Sequence, residues 1–144
     1  MNDQNAPQTP PPAPGQRPPA AGQTSTGLDP KLAGLLCYIL GIITGLIFFL
    51  IEKSNDVVRF HAAQSIVFSG SVIVLWIVLA IVGMIIATVS WTLGSLYSIL
   101  TLLVWLGLFV VWVILLIKGY SGTKWKLPFL GDIAERMASG QRTA

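Results

Sequence analysis

Residues 62–117 read AAQSIVFSGSVIVLWIVLAIVGMIIATVSWTLGSLYSILTLLVWLGLFVVWVILLI, without one Asp, Glu, Lys, Arg or His. A membrane-crossing helix needs about 20 predominantly apolar residues, so this run has room for two. A short polar stretch, Ser90-Trp-Thr-Leu-Gly-Ser95, divides it and predicts a tight turn between spans at about 64–89 and 95–117. The composition of the whole chain agrees. Of 144 residues, 53% are hydrophobic and 10% charged, with a mean hydropathy of +0.73. A soluble domain carries about 25% charged residues; this chain has too few to cover a surface in water. The fold class is therefore all-α, a polytopic helical membrane protein.

Upstream, a second uncharged run covers residues 32–51 and is expected to form the first of about three transmembrane helices. Its small residues Ala33, Cys37, Gly41 and Gly45 fall four apart, lining one helix face that lets a neighbour approach closely. That face would pack on the other two helices or on a second copy. The same glycines admit another structure, in which Gly41-Ile-Ile-Thr-Gly45 breaks the segment into two halves that dip into the membrane and return. Ser54, Asn55 and Asp56 each suit the N-cap of the next helix.

Downstream, Gly119 is placed to end the last span in the C′ position. The segment 118–137 alternates cations with aromatics, and Lys124, Trp125 and Lys126 read as interfacial anchors. Asp132 would cap a short helix running to Met137, and residues 138–144 are expected to fray. Residues 1–28 hold most of the nine prolines, with Gln, Ala, Gly, Ser and Thr. Such a composition cannot bury a core, which makes this stretch a disordered Pro-rich tail. It lacks the basic start and apolar core of a signal peptide. The domain plan is thus a tail (1–28), a helical membrane domain (29–137) and a frayed end.

The net charge of +3 and the pI of about 9.3 come from residues flanking apolar segments. These are topology signals and contacts for anionic lipid head groups, not a nucleic-acid surface. With three spans, Lys53, Arg59, Lys118, Lys124, Lys126, Arg136 and Arg142 share one side, against Arg17 and Lys31 on the other. The richer side is cytoplasmic, and so is the C-terminus. A re-entrant first segment would put every basic residue on the cytoplasmic side. Trp91 and Tyr97 mark one membrane boundary, and Trp112, Tyr120 and Trp125 the other.

One polar stripe enters the apolar region. His61, Ser65 and Ser69 recur every four residues, with Arg59 and Gln64 beside them. In lipid such groups must face protein, water or each other. Two readings stay open. The stripe holds helices together, or it forms a polar path in which Arg59 grips a lipid phosphate or a partner's carboxylate. No acid lies within a span, and no metal-ligand spacing, nucleophile motif or phosphate loop is present, so no cofactor and no catalysis are expected. Cys37, the single cysteine, has no intramolecular disulfide partner.

Leu35-Leu36-Cys37-Tyr38-Ile39-Leu40-Gly41, Thr44-Gly45-Leu46-Ile47-Phe48-Phe49, Val58-Arg59-Phe60-His61-Ala62-Ala63-Gln64-Ser65 and the closing Lys118-Gly-Tyr-Ser-Gly with Lys126-Leu-Pro-Phe-Leu-Gly-Asp carry a family resemblance. The sequence resembles a bacterial membrane-protein family, a domain of unknown function grouped with the chloroplast import component Tic-twenty. The resemblance implies a small helical protein of the bacterial inner membrane and offers no catalytic residue. Together these readings favour a non-catalytic accessory or scaffold subunit that associates with another membrane protein or with itself, with a link to protein translocation. The alternative is a small homo-oligomeric channel or lipid-interacting protein lined by the polar stripe.

Overall fold

A computed structural model describes residues 24–140. The expectations for residues 1–23 and 141–144 lie outside these. Among the described residues the chain is all helix and turn: α1 (Pro30–Ile39), α2 (Ile42–Ile51), α3 (Asp56–Val89), α4 (Trp91–Ser121) and α5 (Leu130–Gly140).

The central element is the α3–α4 hairpin. At 1.5 Å per residue, 34 and 31 residues make rods of about 51 and 46 Å, and both are long and apolar enough to cross a membrane. Asn55 starts α3 by accepting hydrogen bonds from the Val57 and Val58 amides at 3.0 and 3.2 Å. The turn is shorter than expected. Ser90 alone is non-helical, because its extended backbone reverses the chain and α4 begins at Trp91. At the other end α4 runs past Gly119 to Ser121, and Gly122 takes the left-handed cap with φ 70°.

The run 32–51 is not one helix; it takes the broken alternative, as two helices of 10 residues each, about 15 Å apiece. Neither is long enough to cross, so two rather than three helices have the length of a span. The cause is local. Gly41 has φ 58°, a left-handed conformation that glycine adopts freely, and a Cβ there would lie 2.7 Å from Ser69 Oγ. The chain folds back at this point. Ser25 at the start of the hairpin meets Glu52 at its end, the Ser25 amide donating to the carboxylate at 2.9 Å. Both ends of α1–α2 therefore sit together beside the start of α3. Residues 24–28, expected in the tail, are ordered by this contact. Thr24 is buried, and its hydroxyl donates to the Leu28 carbonyl at 2.6 Å.

The core lies entirely at this end of the hairpin. α1 packs on α3 and α4, α2 on α3, and α5 on α3, around Cys37, Tyr38, Val58, Phe60, Ala62 and Leu115. α5 continues to Gly140, beyond the Met137 expected from sequence.

Candidate functional site

The polar stripe of α3 lies in this core. His61, Gln64 and Ser65 are all 1% exposed or less, and each is held by main chain or side chain from another element. The Nε2 of His61 is 3.1 Å from the Thr123 carbonyl, and its Nδ1 is 3.1 Å from the Tyr38 hydroxyl. A carbonyl only accepts, so Nε2 carries the proton, and the Tyr38 hydroxyl donates to Nδ1. The imidazole ring also makes edge contacts with Tyr38 and Phe60. One side chain thus ties α1 and the α4–α5 loop to α3.

Gln64 grips the loop further along. In the amide orientation that satisfies its neighbours, its NH2 donates to the Trp125 carbonyl at 3.1 Å and its oxygen accepts from the Leu127 amide at 3.3 Å. Ser65 lies against the α1–α2 break. Its Oγ is 2.6 Å from the Cys37 carbonyl and 2.9 Å from that of Gly41. Helix ends leave carbonyls without intrahelical partners. The Thr44 hydroxyl adds a donor to Cys37 at 3.2 Å, and the Trp112 indole donates to the Tyr38 carbonyl at 3.0 Å. A break among apolar residues is stable only when its polar groups are satisfied by protein, and these three side chains do so. Ser69 stands half-buried beside Gly41.

Arg59 is 6% exposed, with its guanidinium carbon 5.6 Å from the centre of the Phe49 ring. It borders a cavity of about 150 Å³ shared with Lys124, Asp56 and Glu135. Two cations face two anions there, so the cavity offers a lipid phosphate no excess charge.

The small residues are also distributed differently from a single face. Ala33 and Cys37 are buried on α1, and Gly45 is buried on α2, where a Cβ would lie 3.1 Å from both the Ala62 carbonyl and Ser65. Gly41 is at the break and continues neither face. The closest helix approach uses Gly34 and Gly119, which sequence reasoning missed: a Cβ on Gly119 would sit 2.6 Å from the Gly34 carbonyl oxygen. Two glycines facing one another across 85 residues leave no periodic signal. Of the expected anchors, Trp125 packs partly on the core, while Lys126 reaches back to Glu135 at 2.6 Å and Asp132 at 3.7 Å. Lys124 is exposed.

Glu52 is the other residue that sequence reasoning missed. It is fully buried, and burial opposes its ionisation. Hydrogen bonds from the Ser25, Asn55 and Ser54 amides and the Ser25 hydroxyl, at 2.9–3.0 Å, outweigh that and hold its carboxyl below the usual value.

Fold and clasp define the class: a small all-helical membrane protein whose long hairpin is gripped at one end by a broken helix and a C-terminal strap. The chain belongs to the magnetosome magnetite crystal formation protein family, whose pattern matches residues 25–134. It is 42% identical over 113 residues to a UPF0132 membrane protein of Methanocaldococcus jannaschii, covering 78% of this chain and 92% of that one. A UPF0132 membrane protein of Archaeoglobus fulgidus is 38% identical over 113 residues, covering 78% and 99%. No solved structure matches. These matches overturn the resemblance to the bacterial family grouped with Tic-twenty, since the family matched is a different one and the relatives named are archaeal. Apolar spans carry little family information, and His61, Gln64 and Ser65 make cross-element hydrogen bonds of a kind general to membrane helices.

Proposed function

We propose that the protein is a non-catalytic membrane scaffold. The α3–α4 hairpin crosses the bilayer, α1–α2 dips in from one side and returns, and the uncovered part of the hairpin associates with lipid and with helices of another membrane protein or a second copy. The observation that carries this reading is the division of labour along α3. The polar stripe is occupied within the fold, whereas the rest of the hairpin exposes large apolar side chains such as Trp76, Met84, Leu102 and Phe109.

Orientation follows from charge. Lys31, Lys53, Arg59, Lys118, Lys124, Lys126 and Arg136 all belong to the clasped end, and the Ser90 turn has no charge near it. By the positive-inside rule the clasped end, with α5, is cytoplasmic. The channel reading is less well supported, because a path lined by His61, Gln64 and Ser65 would have to break the bonds that hold α1 and the strap. The family description speaks of magnetite crystal formation. In this chain Asp29 caps α1, Glu52 closes the α1–α2 hairpin, and Asp132 and Glu135 pair with Lys126. Asp29 and Glu52 serve the fold, and the exposed Asp132 and Glu135 are engaged by Lys126, so the proposed contribution is to the membrane rather than to a mineral.

The test is extraction of the tagged chain from its native membrane in lipid nanodiscs, followed by mass determination and identification of co-purifying proteins. A reproducible partner or a defined homo-oligomer is expected. A monomer with lipid alone would sink the scaffold reading.

A further inference from the structure

The α1–α2 hairpin gives the molecule a shape that its family description does not mention. The uncharged part of α3, from Ala62 to Val89, is about 42 Å long, close to the roughly 40–45 Å of a bilayer with its head groups. The tip of α1–α2 is Gly41, which touches α3 at Ser69, only about 10 Å along that stretch. Leu40 and Ile42 flank this tip and share a pocket with Val72 and Ile73 of α3 and with Trp105 of α4. Over the final stretch of about 22 Å to the Ser90 turn, α3 and α4 have neither α1 nor α2 beside them. On the proposed topology, one leaflet accommodates four helices and the other two.

The exposed side of the tip and of α2 is apolar, and on α1 the one exposed charge, Lys31, is at the end away from the tip. Leu40, Ile43, Ile47 and Leu50 are 48–61% exposed, and α2 carries no charged residue. Exposed surface of this kind, on a segment whose two ends are fixed at one side by the Ser25–Glu52 contact, is covered by the acyl chains of that side's leaflet. Each helix is about 10 Å across with its side chains, so the pair displaces lipid from the near leaflet without displacing any from the far one.

We propose that α1–α2 is a one-leaflet wedge, and that the protein concentrates in membranes curved with the α5-bearing face convex. The wedge rests on the re-entrant topology proposed above. It adds that the lipid bilayer is itself a partner and that membrane shape selects where the protein resides.

The test uses the full chain in giant phosphatidylcholine vesicles from which a narrow tube is pulled outward. Molecules whose C-terminal tag faces out are labelled in one colour, and those whose tag faces in are labelled in another. Outward-facing molecules are expected to show a tube-to-vesicle ratio above one that rises as the tube narrows. Inward-facing molecules are expected to show a ratio below one. Equal ratios in the two orientations would overturn the wedge, because shape selection reverses with orientation whereas simple dilution does not. Topology is read separately in sealed vesicles by an impermeant maleimide on Thr26→Cys and Lys53→Cys, with native Cys37 buried. Labelling from the same side as the tag supports the re-entrant hairpin. Labelling from opposite sides overturns the topology and the wedge with it, whereas same-side labelling with equal tube ratios overturns the wedge alone.

Discussion

Residues 58–65 and 70–89 belong to one unbroken helix. The first stretch is completely buried, and the second has no residue that is. Hydropathy does not explain the contrast, since the more apolar stretch is the one left uncovered. What distinguishes the buried stretch is its polar side chains, His61, Gln64 and Ser65, and the glycines that approach it. In lipid, apolar contact alone gives a helix little reason to prefer a protein neighbour over an acyl chain. Hydrogen bonds and close backbone approach supply that preference. The clasped end has both. The far end has one such tie, the Tyr97 hydroxyl to the Leu79 carbonyl at 2.7 Å, beside Gly83.

This contrast is sharpest at glycine. Gly119→Leu drives a side chain into the Gly34 backbone and is expected to cost about 3 kcal/mol or more, read as a lowered thermal midpoint by circular dichroism in detergent. Gly107, where an added Cβ would meet nothing within 4 Å, is the matched control, and Gly107→Leu is expected to leave the midpoint unchanged. Equal losses at the two sites would break the comparison.

The next effect is at Gln64. Gln64→Leu leaves the Trp125 carbonyl and the Leu127 amide without their buried partner, at a cost of about 2 kcal/mol. Trypsin cleavage after Lys124 and Lys126 is expected to accelerate. Ser98→Ala, which removes a hydroxyl bonded only to its own helix at Gly94, is expected to change neither.

The clasp is expected to weaken in acid through Glu52. Its folded-state value is lowered, so it stabilises the fold above the ordinary carboxylate value of about 4.3. That contribution is lost as pH falls through the lower, folded value. Glu52→Gln is expected to cost about 1 kcal/mol at neutral pH and to flatten this acid limb in pH-dependent melts. The smallest effect is expected at Lys126→Ala. Its exposed pairing with Glu135 raises the lysine and lowers the carboxylate in pKa, but screened surface pairs contribute little, and no shift in midpoint should be measurable.

The hairpin was legible in the sequence because its signals are local: an uncharged run, an Asn55 cap and a polar interruption at Ser90. The stripe was legible for the same reason, since His61, Ser65 and Ser69 recur at helical spacing. What each residue touches was not. Tyr38 and Thr123 meet at His61 only after α1 and the strap have folded onto α3. The break at Gly41 depends on donors from Ser65 and Trp112, which lie far away in sequence. Glycine spacing on 32–51 fits either one face of a regular helix or a break at Gly41, and the left-handed backbone of Gly41 selects the break.

The one-residue turn at Ser90 has a consequence for how the chain reaches its final state. On the proposed topology, insertion carries a serine, a tryptophan and their neighbours to the far side, and no charged group. Moving a unit charge through a membrane potential involves about 2.3 kcal/mol per 100 mV; here that term is zero. On that topology the membrane potential does no work on a charged side chain when the turn of this hairpin crosses.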